Sequence, residues 1–166
     1  MPDPLWLVKA RAYLGLKEYP GAQTNPTIAG WLARLKASWR DDETSWCGVF
    51  VAECVSEAGI NPVSGFAGAR NWLNFGIKLA APTVGCIVVF WRDSPAGWKG
   101  HVGFVIGKDK NGNLMVLGGN QGDAVTIKPF GRDRVLGYRW PEGVSVTVGT
   151  SLPVLTSDGR LSSNEA

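Results

Sequence analysis

The chain has 166 residues, of which 17 are basic, 14 are acidic and 45% are hydrophobic, and its formal net charge is +3. This length fits one compact domain, and this balance of apolar and charged residues excludes a disordered chain. The basic residues form no run that argues for nucleic acid, and no apolar run reaches the roughly 18 to 20 residues of a membrane span.

The first helix is predicted near the N-terminus. Asp3 precedes Pro4, which is the order expected for a capping side chain and a proline at the first helical position. Leu5 and Val8 then begin an apolar pattern with helical spacing that ends at Gly15. We expect this pattern to form the buried face of the helix.

Three further helices follow in the N-terminal half. Asn25 and Pro26 repeat the start signal, and the stripe behind them has the spacing of one helix face. Its members are Ile28, Trp31, Leu32 and Leu35. A third helix is predicted over 44–58, with Gly59 as its C-terminal stop, and a short fourth helix over 68–75.

The second half changes to strand patterns. Short runs rich in β-branched and aromatic residues are separated by turn residues, and 109–113 is a strong hairpin turn. The runs cover 86–91, 101–106, 114–117, 125–127 and 135–138. Helices first and strands second predict an α+β domain, with N-terminal helices packed on an antiparallel sheet of about five strands.

The cysteine count bears on the chemistry. Cys47, Cys54 and Cys86 are an odd set without a Cys-x-x-Cys pair, and His101 is the only histidine. This argues against a disulfide framework and against a zinc site. We therefore predict no metal and no cofactor, and at least one free thiol.

Cys47 is the best candidate for a reactive thiol. It lies just inside the predicted start of the third helix, where unpaired backbone N–H groups and the helix dipole stabilise a thiolate and a developing oxyanion. Most cysteines are small core residues, and Cys54 and Cys86, with their apolar neighbours, fit that alternative better.

A base and an orienting group are needed beside the thiol. A lone histidine is more often structural than catalytic, but Gly100 and Gly103 leave room around His101 at the start of a strand. Asn120, at the end of a neighbouring strand, is the candidate for holding the imidazole tautomer. A plain turn over 118–122 explains the same residues equally well, and both interpretations stay open on the residues alone.

Three ordered blocks carry a family resemblance. Residues 45–51 (SWCGVFV), 100–105 (GHVGFV) and 117–121 (LGGNQ) resemble the signature blocks of CHAP-type peptidoglycan hydrolases, relatives of the NlpC/P60 cysteine peptidases, and especially a small phage-borne branch. The resemblance covers about residues 5–142. It implies a papain-like fold in which Cys47 is the nucleophile, His101 the base and Asn120 the polar third member.

The resemblance also has departures. Many CHAP domains carry a glutamate two positions before that asparagine, where this chain has Gly118, so it lacks the glutamate of a four-membered catalytic set. Some members bind calcium through an acidic N-terminal loop, and nothing comparable precedes Cys47. The segment 109–112 lacks the later glutamate of a calcium loop and is better explained as a hairpin.

The resemblance implies an enzyme that cleaves the muramoyl-alanine amide, or a stem-peptide or cross-bridge bond, of bacterial peptidoglycan. We assign Trp46, Trp98 and Gln121 to substrate binding. Residues 1–143 should form the catalytic domain, and 144–166, rich in Ser, Thr, Gly and Pro, a flexible tail.

The resemblance favours a phage lysin that acts as a monomer, with no nucleic-acid or membrane partner. The N-terminus lacks the pattern of a signal peptide, so we expect the protein to reside in the host cytoplasm until it is released to the cell wall, or to travel with the virion. The rival interpretation is an inactive or binding-only phage tail protein of the same fold. A transglutaminase-like or deamidase activity is a third.

Overall fold

The computed structural model describes residues 3–19, 24–37, 45–146, 151–157 and 160–162. The helices are α1 Leu5–Ala12, α2 Pro26–Arg34, α3 Cys47–Glu57, and two 3-10 helices, Ala69–Asn74 and Arg132–Arg134. The strands are β1 Ile77–Leu79, β2 Ile87–Trp91, β3 Gly100–Lys108, β4 Leu114–Gly118, β5 Thr126–Phe130 and β6 Val135–Trp140. The predicted α+β class is confirmed. None of the helices in these ranges is long and apolar enough to cross a membrane.

The strands form one antiparallel sheet in the order β1-β6-β2-β3-β4-β5. It has one strand more than the five expected, because β1 has only three residues, is largely exposed, and so carries no alternating apolar pattern. β1 pairs with β6 at the edge of the sheet. The strand that carries His101, β3, lies inside the sheet between β2 and β4.

Two of the predicted helix signals act as expected. The Asn25 side chain caps α2 by accepting a 2.9 Å hydrogen bond from the Thr27 N–H. Gly59 has φ +81° just beyond α3, the left-handed conformation that ends a helix. Asp3 differs, since its carboxylate pairs with Arg11 at 2.6 Å and Pro4 occupies the N-cap position without a side-chain cap.

The buried face of α1 is not the predicted one. Leu5 and Val8 are about half exposed. The buried residues of this helix are Trp6, Leu7 and Ala10. The Trp6 ring packs edge-on against Trp140, with ring centroids 5.0 Å apart, and so rotates the helix away from the predicted face.

The core between helices and sheet positions the site. Phe50 of α3 packs edge-on against Phe104 of β3, with ring centroids 6.3 Å apart. Both side chains are fully buried. Because this contact holds α3 across β3, the first residue of the helix, Cys47, is brought to the strand that carries His101.

The turn between β3 and β4 is the predicted hairpin. Asp109 Oδ1 accepts hydrogen bonds from the backbone N–H groups of Asn111 and Asn113, both at 2.9 Å. These bonds, and one from the Asn113 side chain, lower the pKa of Asp109. The aspartate thus serves the turn itself.

Part of the C-terminal segment returns to the sheet. Val154 forms a parallel bridge with Lys108, and the Leu155 N–H donates a 2.7 Å hydrogen bond to the Lys108 carbonyl. Leu152 is buried. The domain boundary at 143/144 and the flexibility of 144–166 stay predictions.

Candidate active site

Cys47 is the first residue of α3, as the sequence predicted. Trp46 precedes it at the N-cap position and provides no side-chain cap. The first backbone N–H bonded within this helix is that of Phe50, which donates to the Trp46 carbonyl at 2.9 Å. The N–H groups that precede it in the first turn have no partner within the helix, and such a helix start favours negative charge.

The thiol of Cys47 is buried yet favours ionisation. Burial raises the pKa of this thiol, but His101 lowers it through its charge and a hydrogen bond. The Val102 N–H and the Ser45 hydroxyl add further hydrogen bonds, and the balance leaves the pKa below its ordinary value. A thiolate paired with an imidazole is the nucleophile expected of cysteine hydrolases.

The pKa values of the other two thiols are shifted in the opposite direction. Burial raises the pKa of Cys54 well above its ordinary value, and the nearby charges of Glu57 and Glu53 add to that shift. Burial raises the pKa of Cys86 to about 12. Both remain neutral thiols at physiological pH, which fits their assignment to the core.

His101 is held by a stack of rings and by one amide. The imidazole lies parallel to Phe130, with centroids 5.2 Å apart and planes inclined by 4°, and Phe90 stacks against both rings, with centroids 4.7 Å from Phe130 and 6.3 Å from His101. Its Nε2 lies 2.9 Å from Oε1 of Gln121. Nδ1 is buried and makes no hydrogen bond of standard geometry within the residues described.

The amide next to the imidazole is therefore that of Gln121, in the place predicted for Asn120. Asn120 has φ +61°, and its Nδ2 donates to Ser45 Oγ at 3.3 Å. That hydroxyl lies 4.0 Å from the Cys47 sulfur. The left-handed turn thus directs Asn120 toward the thiol side of the site while Gln121 passes under the imidazole.

Two of the three residues assigned to substrate binding lie inside the protein. Gln121 is fully buried beneath His101. Trp46 is 1% exposed, and its Nε1 donates to Glu18 at 3.3 Å. A Cβ on Gly119 would approach the Trp46 ring to 2.8 Å, so the indole is packed closely against Gly119. Both side chains are packed inside the protein, and their assignment to substrate binding stays a prediction.

Trp98 differs from both, because it is 81% exposed. It lines a cavity of about 200 Å³ that also contains Cys47, with Arg92 and Lys99 beside it and the small residues Ala67 and Gly68 forming another wall. Larger cavities, of about 340 and 730 Å³, contain neither Cys47 nor His101. The presence of Cys47 therefore identifies the smaller cavity as the candidate substrate groove, although other cavities have larger volumes.

The groove carries two cations that the sequence did not mark. Lys99 lies 3.2 Å from Asp93, and both side chains are well exposed. Arg92 is half-buried at the groove. Isolated basic residues in a loop follow no pattern, so only the fold could place them beside Cys47.

Within the described ranges, no three or more His, Cys, Asp or Glu residues are grouped as metal ligands would be. The predicted absence of a cofactor stays a prediction.

A thiol at a helix start beside an imidazole on a strand, in an α+β fold, is the arrangement of papain-like cysteine hydrolases. The CHAP domain model matches residues 39–120, a range that includes Cys47, His101 and Asn120. Residues 39–120 are therefore similar to a CHAP domain, a domain that generally acts on peptidoglycan as a cysteine peptidase or amidase. No curated protein matches the chain.

Proposed function

We propose that this protein cleaves amide bonds of bacterial peptidoglycan, with Cys47 as the nucleophile and His101 as its base. The single observation that carries the proposal is the placement of Cys47 at the start of α3 beside His101, whose charge and hydrogen bond lower the pKa of the thiol despite its complete burial. A buried thiol without such a partner has a raised pKa, as Cys54 has.

The reaction follows from this pair. His101 Nδ1 takes the thiol proton, and the thiolate attacks the amide carbonyl carbon, forming a C–S bond while the carbonyl electrons move to oxygen. The N–H groups of the first turn of α3, beginning with Cys47, stabilise that oxyanion. The amine leaves with the proton from the imidazolium, and a water activated by His101 then hydrolyses the thioester.

The groove suits a short, anionic peptide. Ala67 and Gly68 make one wall narrow, while Arg92 and Lys99 supply positive charge and Trp98 supplies an exposed aromatic face. Stem peptides of peptidoglycan carry free carboxylates on small residues, so they complement such a groove. The bond cleaved is then the muramoyl-alanine amide or a stem-peptide or cross-bridge bond.

The likeness of the three sequence blocks to the phage-borne branch supports a role as a phage lysin. Such a protein is either released from the host cytoplasm to the cell wall or carried by the virion. A monomer is sufficient, because Cys47, His101 and Gln121 come from one chain. An inactive tail or wall-binding protein is the alternative outcome of the experiment below.

The experiment measures solubilisation of purified, dye-labelled sacculi by the wild type, by Cys47→Ser and by His101→Ala. We expect dye release by the wild type and loss of at least about 1,000-fold in both variants. Binding of sacculi without dye release by the wild type would favour the wall-binding alternative. Ser64→Ala serves as a control that should keep activity. Ser64 lies before the 3-10 helix Ala69–Asn74 and is not among the groove residues named above.

A further inference from the structure

The Gln121 side chain occupies the position from which an imidazole is oriented. Its Oε1 lies 2.9 Å from His101 Nε2, and both residues are fully buried. We propose that Gln121 is the positioning residue of the catalytic histidine, and that Gly118 is required because its missing side chain leaves the space for the Gln121 amide. This inference rests on the proposed function of Cys47 and His101.

The orientation of the Gln121 amide is fixed by its other partners. Its Nε2 donates to the carbonyl of Val116 at 3.2 Å and to the carbonyl of Thr126 at 2.9 Å. Carbonyl oxygens only accept hydrogen bonds, so the NH₂ end must face them and Oε1 must face His101. Reversing the amide would set its oxygen against two carbonyls.

This orientation selects one tautomer of the histidine. Since Oε1 of Gln121 can only accept, His101 Nε2 must carry the hydrogen. In the neutral ring the lone pair is then on Nδ1, the buried nitrogen that has no standard hydrogen bond within the residues described. That lone pair is the group that takes the proton of Cys47.

Gly118 and Gln121 form a single arrangement. A Cβ on Gly118 would overlap Oε1 of Gln121 and lie 3.3 Å from Nε2 of His101. A side chain at 118 and the amide from 121 would thus compete for the same space beside the imidazole. Gly118 lacks the glutamate side chain that many CHAP domains carry at this position. In this chain Gln121 supplies the hydrogen-bond acceptor beside His101.

The acceptor is neutral, and this has a chemical consequence. A carboxylate would add a charge-assisted hydrogen bond to the imidazolium, whereas an amide oxygen orients the ring with less stabilisation of its charge. The thiolate–imidazolium pair therefore depends on both Gln121 and the α3 start. Loss of the Gln121 bond should shift the apparent pKa of Cys47 upward by about one unit, a tenfold change in thiolate at a given lower pH.

The test uses Gln121→Met, which keeps the length of the side chain but removes the acceptor, and Gly118→Ala, which displaces the amide. Two readouts need no substrate. The first is the rate of Cys47 alkylation by iodoacetamide as a function of pH. The second is the NMR signal of the Nε2-bound proton, which is unambiguous because His101 is the only histidine.

In both variants we expect the alkylation of Cys47 below neutral pH to slow about tenfold. The Nε2 proton signal of His101 should disappear or move upfield. Turnover on sacculi should fall about 10- to 100-fold with little change in apparent affinity. Gly30→Ala on α2, where a Cβ meets only the Arg34 side chain at 3.4 Å, should behave as the wild type. Thermal unfolding identifies any variant that fails to fold.

An unchanged alkylation profile and proton signal in folded Gln121→Met would overturn the inference. If these readouts change as expected but the wild type releases no muropeptides, the inference stands and the proposed function fails. If the wild type is active and folded Gln121→Met is equally active with an unchanged proton signal, the proposed function stands and Gln121 has no positioning role.

Discussion

Cys47 and His101 meet where the first turn of α3 lies across β3, although the two residues come from different halves of the chain. The His101 imidazole, with hydrogen bonds from the Val102 N–H and the Ser45 hydroxyl, outweighs the burial that would otherwise keep the Cys47 thiol protonated. The reactivity of this thiol therefore depends on tertiary structure, and substitution of the contacting residues tests it directly.

Replacement of each cysteine by serine should separate the nucleophile from the core thiols. Cys47→Ser should lower the rate of wall degradation by at least about 1,000-fold, because a hydroxyl is far less readily ionised than this thiol. Cys54→Ser and Cys86→Ser should retain most activity per folded molecule, since both thiols are buried and neutral. Rates are normalised to the folded fraction from thermal unfolding, and an equal loss in all three folded variants would refute the assignment.

Alkylation should be selective for one thiol. At pH 7, iodoacetamide should modify Cys47 well before Cys54 or Cys86, because the pKa of Cys47 is lowered while those of the other two are raised. Peptide mapping by mass spectrometry gives the order of modification. Modification of Cys47 should abolish activity, whereas EDTA should not. Inactivation by EDTA with rescue by calcium would show that the predicted absence of a metal is wrong.

The groove residues should affect binding more than chemistry. Trp98→Ala and Arg92→Gln should each raise the KM for soluble muropeptides about 3- to 10-fold with little change in kcat, because these side chains line the groove without touching the reacting atoms. Leu5→Ala, an exposed apolar change on α1, is the matched control for Trp98. A fall in kcat at constant KM would place Trp98 or Arg92 in the catalytic step instead.

A buried carboxyl on α3 should give a measurable pH dependence of stability. Burial and a hydrogen bond that protonated Glu53 donates to Glu57 raise the pKa of Glu53 to about 7, although Arg34, 3.2 Å away, lowers it. The folded state therefore holds a proton that the unfolded state releases from about pH 4.5, so this group's contribution to stability is present at low pH and is lost as pH rises toward 7.

Glu53→Gln removes that titration while keeping the shape of the side chain. Between pH 5 and pH 8, the free energy of unfolding of the variant should therefore rise relative to that of the wild type, by on the order of 2 kcal/mol. Urea unfolding at both pH values measures the difference. A difference between the two proteins that stays constant with pH would show that Glu53 does not titrate in this range.

The features predicted correctly from the sequence are those whose cause is local. The Asn25 cap, the Gly59 stop and the turn held by Asp109 each depend on bonds or backbone angles within a few residues. The position of Cys47 at a helix start is local in the same sense. Such signals can be seen in one short stretch of sequence.

The features that were missed depend on distant contacts. The buried face of α1 is set by the packing of Trp6 on Trp140, and the role of Gln121 by Val116, Thr126 and His101 around it. Asn120 and Gln121 carry the same amide group in the same turn. Only the backbone angles of the turn determine which of the two amides lies beside His101. The sequence signal for Gln121 was the missing side chain at Gly118. Its significance depends on the contact between Gly118 and the Gln121 amide, which only the structure shows.

The most direct test of the central claim is mass spectrometry of the muropeptides released from purified sacculi by the wild type and by Cys47→Ser. We predict that the wild type releases fragments carrying one new amine and one new carboxyl at a single kind of amide bond, and that Cys47→Ser releases none. Intact amide bonds after treatment with folded wild-type protein, or the same fragments from Cys47→Ser, would contradict the assignment of Cys47 and His101 as the catalytic pair.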